Sequence, residues 1–428
     1  MRIGIIGAGG AGLTAAWLLE QDHDVTLFEA EERLGGHAHT IDVEAHGRQL
    51  AVDAGFQFFG PGPSYGTFTR LLAALEVPVR SYSATMTLFR EREREQVALP
   101  PMRGGRIVWP SITPQALQDL IRFRAFLDRI PTFLARHDTT VTTEEYIDSQ
   151  RLAPRFVERF LYPMLLALWC VELSQLKQFA AYNALFYLGA ALPEGFRPPQ
   201  QLELAGGMRT YVDALRRDLR RAEVRCGARV DRVSREGEVL VIHHSQGLPR
   251  EFDQIVVATD PAQAVALTRS LRGLEPVSEQ LGRFRTFDTT IAIHGDRSLM
   301  PPSDSAWSVV NVRWDGAHSQ LTVWNPGPGL PVFRSWVTYD DRLPEHLYAV
   351  AKYQHLLVTV DHFDAQARLK EMPGGGGVWL AGVYMDDADS HESAVRSAVT
   401  IARRLAPDSA RLRLLLGGHE KGPSPVEA

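Results

Sequence analysis

The chain begins with a short apolar run, Ile3-Gly4-Ile5-Ile6, that stops at Gly7. Leu13, Ala16, Trp17 and Leu19 then recur at helical spacing over residues 12–21, and a second run follows at Val25-Thr26-Leu27-Phe28. That order predicts strand, helix, strand. Between about residues 61 and 200 the pattern is mainly helical, opening with Tyr65-Gly66-Thr67-Phe68-Thr69-Arg70-Leu71-Leu72 after a Pro/Gly turn. Short strands are predicted at Val230-Asp231-Arg232-Val233 and Leu240-Val241-Ile242, and Ile255-Val256-Val257-Ala258 reads as a buried strand. Aromatic and β-branched stretches at 289–294 and 336–339 predict a further sheet. Residues 378–382 predict a last strand and 392–405 the helix after it. The charged stretch 90–95 predicts an exposed hairpin tip or loop, and the polar segment 417–428 a loosely ordered tail.

The turn between the first strand and helix carries Gly7, Gly9, Gly10, Ala11 and Gly12, and Glu29 closes the second run. This is a dinucleotide-binding pattern: Gly7 permits the tight turn, Gly9 lets backbone approach a pyrophosphate, and Gly12 lets the helix pack close to the sheet. Helix dipole and free N–H groups then hold phosphates. Glu29 stands where an acid accepts hydrogen bonds from ribose hydroxyls and disfavours a 2′-phosphate, which argues against NADP.

Glu31-Glu32-Arg33-Leu34-Gly35-Gly36-His37-Ala38-His39-Thr40 comes next, then Val52-Asp53-Ala54-Gly55. Here the chain resembles the FAD-dependent amine oxidase superfamily, which includes phytoene desaturases and protoporphyrinogen oxidase. In that superfamily an Arg-x-Gly-Gly loop runs along the FAD diphosphate and ribityl chain. The resemblance implies that Arg33, Gly35 and Gly36 touch the cofactor, with Ala30 and His37 beside them. It continues in order through Leu204-Ala205-Gly206-Gly207-Met208-Arg209-Thr210-Tyr211-Val212, Val256-Val257-Ala258-Thr259-Asp260-Pro261, Trp379-Leu380-Ala381-Gly382 and His391-Glu392-Ser393-Ala394-Val395-Arg396-Ser397-Ala398. With Phe160-Leu161-Tyr162-Pro163-Met164 and Ser298-Leu299-Met300-Pro301 added, the chain is similar to a bacterial subgroup of amine-oxidase-like NAD/FAD-binding proteins. A related domain is fused to plant cyclopropane fatty acid synthases.

The fold so implied is α/β: a Rossmann-like FAD-binding domain of the glutathione reductase/amine oxidase type, interleaved with an α+β substrate domain. The first would take residues 1–60, 201–261 and 371–416, and the second 61–200 and 262–370. Ala394 and Val395 are implied to offer backbone N–H groups to the flavin pyrimidine edge, Val230 to meet adenine through its main chain, and Gly382 to lie beside the cofactor. FAD is expected to be held noncovalently, because no Cys or His lies in a covalent attachment motif. Two departures stand out. Gly382-Val383 replaces the Gly-Glu or Gly-Asp of many amine oxidases, leaving Asp386 or Asp387 as substitutes. Asp288-Thr289-Thr290-Ile291 lacks the lysine that many place near flavin N5; Lys352 is an alternative, better suited to a surface position.

Composition narrows the partners. A net charge of -5 over 428 residues, with both signs interspersed, offers no face for nucleic acid. Cys170 and Cys226 cannot build a disulfide framework, no Cys/His group has metal-site spacing, and no apolar stretch is long enough to span a membrane. The chain enters its first strand without a signal-peptide pattern, so a cytoplasmic location is expected, with oligomeric state left open.

His391 and Glu392 are the candidate catalytic pair, a polar couple ahead of the flavin-facing helix, with helix capping around Ser390 as the competing reading. His37 and His39 either face the flavin ring or pack against backbone, with packing favoured. Tyr339, Tyr353 and Tyr384 either wall the ring or fill core. The apolar, aromatic stretch 160–188 is either buried core or a lipophilic tunnel. The expected function is oxidation or desaturation of a hydrophobic small molecule, amine or lipid-like, by hydride transfer to flavin N5. The alternatives are an FAD-dependent double-bond isomerase and a noncatalytic FAD-binding partner protein.

Overall fold

Ile3, Ile5 and Ile6 are buried in the Arg2–Ile6 strand, so neither face of that strand can meet water and it must lie inside a covered parallel sheet. A computed structural model, which describes residues 1–90, 96–103, 106–190, 192, 197–324 and 330–417, shows that sheet. Most of the expected hairpin tip at 90–95 and the tail beyond residue 417 lie outside the described residues. Five strands run in the order Glu223–Arg225, Asp24–Phe28, Arg2–Ile6, Gln254–Val257 and Val378–Leu380, every pair parallel. Helices Gly10–Leu19 and His391–Leu405 cover one face side by side. The antiparallel strands Val230–Glu236, Val239–His244 and Arg250–Phe252 cover the other through Val233, Leu240, Ile242 and Phe252. The first helix starts at Gly10, before the expected Gly12, and the last includes His391.

A second sheet has seven strands in the order Leu347–Leu357, Arg285–His294, Phe333–Trp336, Ser319–Val323, Val310–Trp314, Met86–Arg90 and Gln96–Leu99. Helices Pro114–Leu127, Tyr162–Trp169 and Ala181–Ala190 form a core with it around Phe126, Phe160, Leu165, Leu185, Val312 and Leu321. The helical reading of 61–200 therefore missed strands Val79–Ser83, Met86–Arg90 and Gln96–Leu99. Two of them have remote partners, Met86–Arg90 pairing with Val310–Trp314 and Val79–Ser83 with Gln200–Leu204, while Gln96–Leu99 pairs with Met86–Arg90. The stretch 336–339 is strand only at Trp336. Among the described residues no helix is long and apolar enough to cross a membrane.

In an open parallel sheet the ligand crevice lies beyond the carboxyl ends of the strands. Gly7, Glu29, Ala258 and Gly382 leave this sheet at that edge, and a cavity of about 870 Å³ opens there.

Candidate functional site

Gly7 adopts φ +97°, and a Cβ on it would come within 2.7 Å of the Ala258 carbonyl oxygen, so only glycine makes this turn. A Cβ on Gly12 would overlap the Gly7 carbonyl, which is the close helix–strand packing the motif predicts. Gly12 thus packs the helix and is not part of the cavity wall, whereas Gly7, Gly9, Gly10 and Ala11 are. A Cβ on Gly9 would meet no atom within 4 Å, so bare backbone at the helix start opens onto the cavity. The Glu29 carboxylate is aimed at the same turn, accepting from Ala8 N at 2.7 Å and from Glu31 N at 2.9 Å. An acid and a helix N-terminus sharing one cradle fit a dinucleotide. Ala30 and Val230 line the same end.

The 31–36 loop is fastened onto the turn by Gly35 N donating to Ala8 O at 2.8 Å, and Gly9 and Gly35 form a parallel bridge. Gly35 and Gly36 line the cavity. Arg33 does not: its guanidinium donates to Gly36 O at 2.8 Å and pairs with Glu31 at 3.0 Å. These contacts make it a brace of the loop. Asp53, from the Val52-Asp53-Ala54-Gly55 motif, accepts from Thr40 Oγ1 at 2.5 Å and Met208 N at 2.9 Å, and burial pushes it up to about 6.

At the start of the last helix the expected pair separates. His391 lines the cavity, stacked on Phe56 at 4.5 Å and hydrogen-bonded through Nε2 to the Tyr211 hydroxyl at 2.9 Å. Burial, with a smaller push from His37, lowers its pKa to about 3, so His391 is neutral at pH 7 and is not the neutral-range proton exchanger its unperturbed pKa suggested. A Cβ on Gly10 would come within 2.6 Å of its ring. Glu392 turns away, accepting from Thr67 N at 2.8 Å and Phe68 N at 2.7 Å, and so caps helix Gly66–Ala74. Ser390 is the N-cap of the last helix. Ala394 and Gly382 line the cavity; Val395 is buried inside the helix and off the wall.

The other end of the cavity is a chamber of apolar and aromatic side chains: Leu168, Trp169, Phe287, Ile291, Trp336 and Tyr353. From the apolar stretch 160–188, Leu168, Trp169, Cys170 and Tyr187 reach it, while Phe160, Leu165, Leu166 and Phe179 stay in the core. Tyr384 also faces the cavity; Tyr339 instead stacks on His318 at 4.3 Å. His37 lies between Tyr353 and His355, with ring centroids 5.1 and 5.4 Å away. His39 stands behind it, hydrogen-bonded to the Tyr353 hydroxyl at 2.8 Å. Sequence reading missed His355, which burial holds at about 3, and Trp336, whose ring carries the buried Arg334 guanidinium at 4.3 Å. It also missed Asp389, a carboxyl on the cavity wall that burial raises to about 7.

Asp386 and Asp387 do not line the cavity: Arg396 pairs with Asp386 at 2.8 Å, and His137 reaches Asp387 at 3.1 Å. Lys352 is exposed on the outer side of its strand. Both cysteines are free, and the described residues contain no cluster of three metal ligands.

The family model described as flavin containing amine oxidoreductase matches residues 11–287. The chain belongs to that family, and FAD is its cofactor. It is 26% identical over 276 residues to AofH of Mycobacterium tuberculosis, a protein named as a flavin-containing monoamine oxidase; the match covers 61% of this chain and 58% of that protein. Among solved structures, a fatty acid isomerase of P. acnes that produces CLA superposes with a TM-score of 0.66 at 16% identity, covering 95% of this chain and 98% of its own. Cyclohexylamine oxidase of Brevibacterium oxydans IH-35A superposes with a TM-score of 0.64 at 15% identity, covering 94% and 99%. Those two likenesses concern the fold.

Proposed function

We propose that this chain is an FAD-dependent oxidoreductase that oxidises or desaturates an apolar small molecule, amine or lipid-like, in the aromatic chamber. One observation carries the reading: a single cavity joins the glycine turn and Glu29 to walls formed by Trp169, Phe287, Ile291 and Trp336. When bound, FAD supplies a hydride acceptor at N5. Gly7, Gly9, Gly10, Ala11 and Glu29 would hold its diphosphate and ribose end, with Gly35 and Gly36 along the chain and Ala394 and Gly382 near the ring. The hold is noncovalent, and residues 1–60, 201–261 and 371–416 form the body that provides it. The chamber's apolar side chains select a substrate by area and keep water from the reacting carbon. Two free cysteines suit a reducing cytoplasm.

A second reading, double-bond isomerisation with return of the hydride, draws support from strand Arg285–His294, which carries no lysine, and from Lys352 facing outward. Anaerobic mixing of the yellow protein with a panel of amines, fatty acids and polyenes tests both. Bleaching by one class, with peroxide released when air is admitted, is the expected result. Product formation without bleaching or peroxide supports isomerisation, and a flavin unaffected by every class contradicts both.

A further inference from the structure

A carboxylate set into a cavity wall without a partner is costly, and most folds neutralise or pair one. Asp389 is left without one. Its backbone is pinned on both sides: its N–H donates to Asn183 Oδ1 at 2.9 Å, and its carbonyl accepts from the Tyr187 hydroxyl at 2.7 Å. Neither carboxylate oxygen has a hydrogen-bond or ion-pair partner among the described residues, while the residue lines the cavity beside Tyr187, with Trp169 and Cys170 on the same cavity wall. Each neighbouring acid is already engaged: Asp386 by Arg396, Asp387 by His137, and Glu392 by two amides. The residue is rigidly placed and chemically free.

We infer that Asp389 is the proton acceptor of the chamber, taking the proton that the substrate gives up as it is oxidised. The inference rests on the oxidoreductase reading. Converting H–C–X–H to C=X, with X carbon, nitrogen or oxygen, removes one hydride and one proton. The C–H electron pair leaves with the hydride, for which FAD is the oxidant. The X–H pair stays behind as the new π bond, and the proton passes to a carboxylate oxygen of Asp389.

The surroundings suit that task. Tyr65 and Tyr187 are held as neutral phenols by burial, Cys170 as a thiol, and His391 as a neutral imidazole. No cation offsets burial, which alone sets the Asp389 carboxyl near 7, where it can both accept and release a proton at physiological pH. Nothing in the sequence pattern announces this, because Asn183 and Tyr187 come from a distant helix.

The test compares wild type with Asp389→Asn, which keeps the side-chain shape and both backbone bonds. Visible spectra come first: equal FAD content shows that both are folded and loaded. Infrared titration of the holoenzymes should then show, in the wild-type minus variant difference, one protonated-carboxyl band that disappears as pH rises through about 7, with the Asp53 band common to both. With whichever panel compound bleaches the wild-type flavin, bleaching should accelerate through the same pH range. In the variant it should be about 100-fold slower or more and lose that pH dependence. A yellow variant bleached at the wild-type rate, or a difference spectrum with no carboxyl band lost on substitution, overturns the assignment alone. A wild-type protein without FAD, or one whose FAD no compound bleaches, overturns the oxidoreductase reading as well.

Discussion

At neutral pH His391 carries no charge, because its ring lies among Phe56, Phe68 and Tyr211 with its accessible edge on the cavity. It therefore acts as a wall and a hydrogen-bond partner. His391→Ala should retain FAD, lower unfolding free energy by about 3 kcal/mol through the lost ring and the orphaned Tyr211 hydroxyl, and leave the shape of the rate–pH profile intact. Urea denaturation and a pH series check this; a shifted profile would return His391 to proton chemistry. At this scale the sequence was legible where the demand is local. Gly7 and Gly12 answer to steric contacts with backbone a few residues away or on the adjacent strand, so spacing alone identifies them. His391 and Asp389 depend on which groups other segments bring beside them, and no local pattern records that.

Glu392 belongs to the scale of elements. Its carboxylate accepts from two N–H groups at the start of helix Gly66–Ala74, where negative charge also meets the positive end of the helix dipole. Glu392→Gln keeps one acceptor and leaves one buried amide unpaired, so a loss of about 2 kcal/mol is expected with no change in the visible spectrum. A variant that keeps full stability but loses turnover would contradict the capping role. Elements with strong patterns, Arg2–Ile6, Asp24–Phe28, Gln254–Val257 and His391–Leu405, are readable from sequence to within a residue or two. Val79–Ser83 and Met86–Arg90 were not, since short strands of mixed polarity are stabilised by partners far along the chain, and Gln96–Leu99 joins the sheet only as the hairpin partner of Met86–Arg90.

For the whole molecule, four histidines are buried in the neutral form: burial lowers His294 to about 4 and His355, His362 and His391 to about 3. The unfolded chain binds protons at these sites below about pH 6.5 and the native chain does not, so their stabilising contribution is present above that pH and is lost as pH falls. Asp53, raised to about 6, and Asp389, raised to about 7, act in the opposite direction and offset part of it. Histidines outnumber them, so stability should fall by about 1.4 kcal/mol or more for each pH unit lowered between roughly pH 6 and 4.5. Urea midpoints across that range check this; an unchanged midpoint would mean that the histidines are not held neutral. The cavity is also a property of this scale. Residues from both sheets and from the helices between them line it, which is why the nucleotide end could be read from one motif and the chamber could not.

The visible spectrum of the purified protein, before and after acid precipitation, tests the central claim most directly. A yellow protein is expected whose flavin passes entirely into the supernatant, as FAD held only by the cradle of Gly7, Gly9 and Glu29 and by the loop fastened to it. A colourless protein that FAD does not reconstitute, or a yellow pellet with a covalently attached flavin, would contradict it.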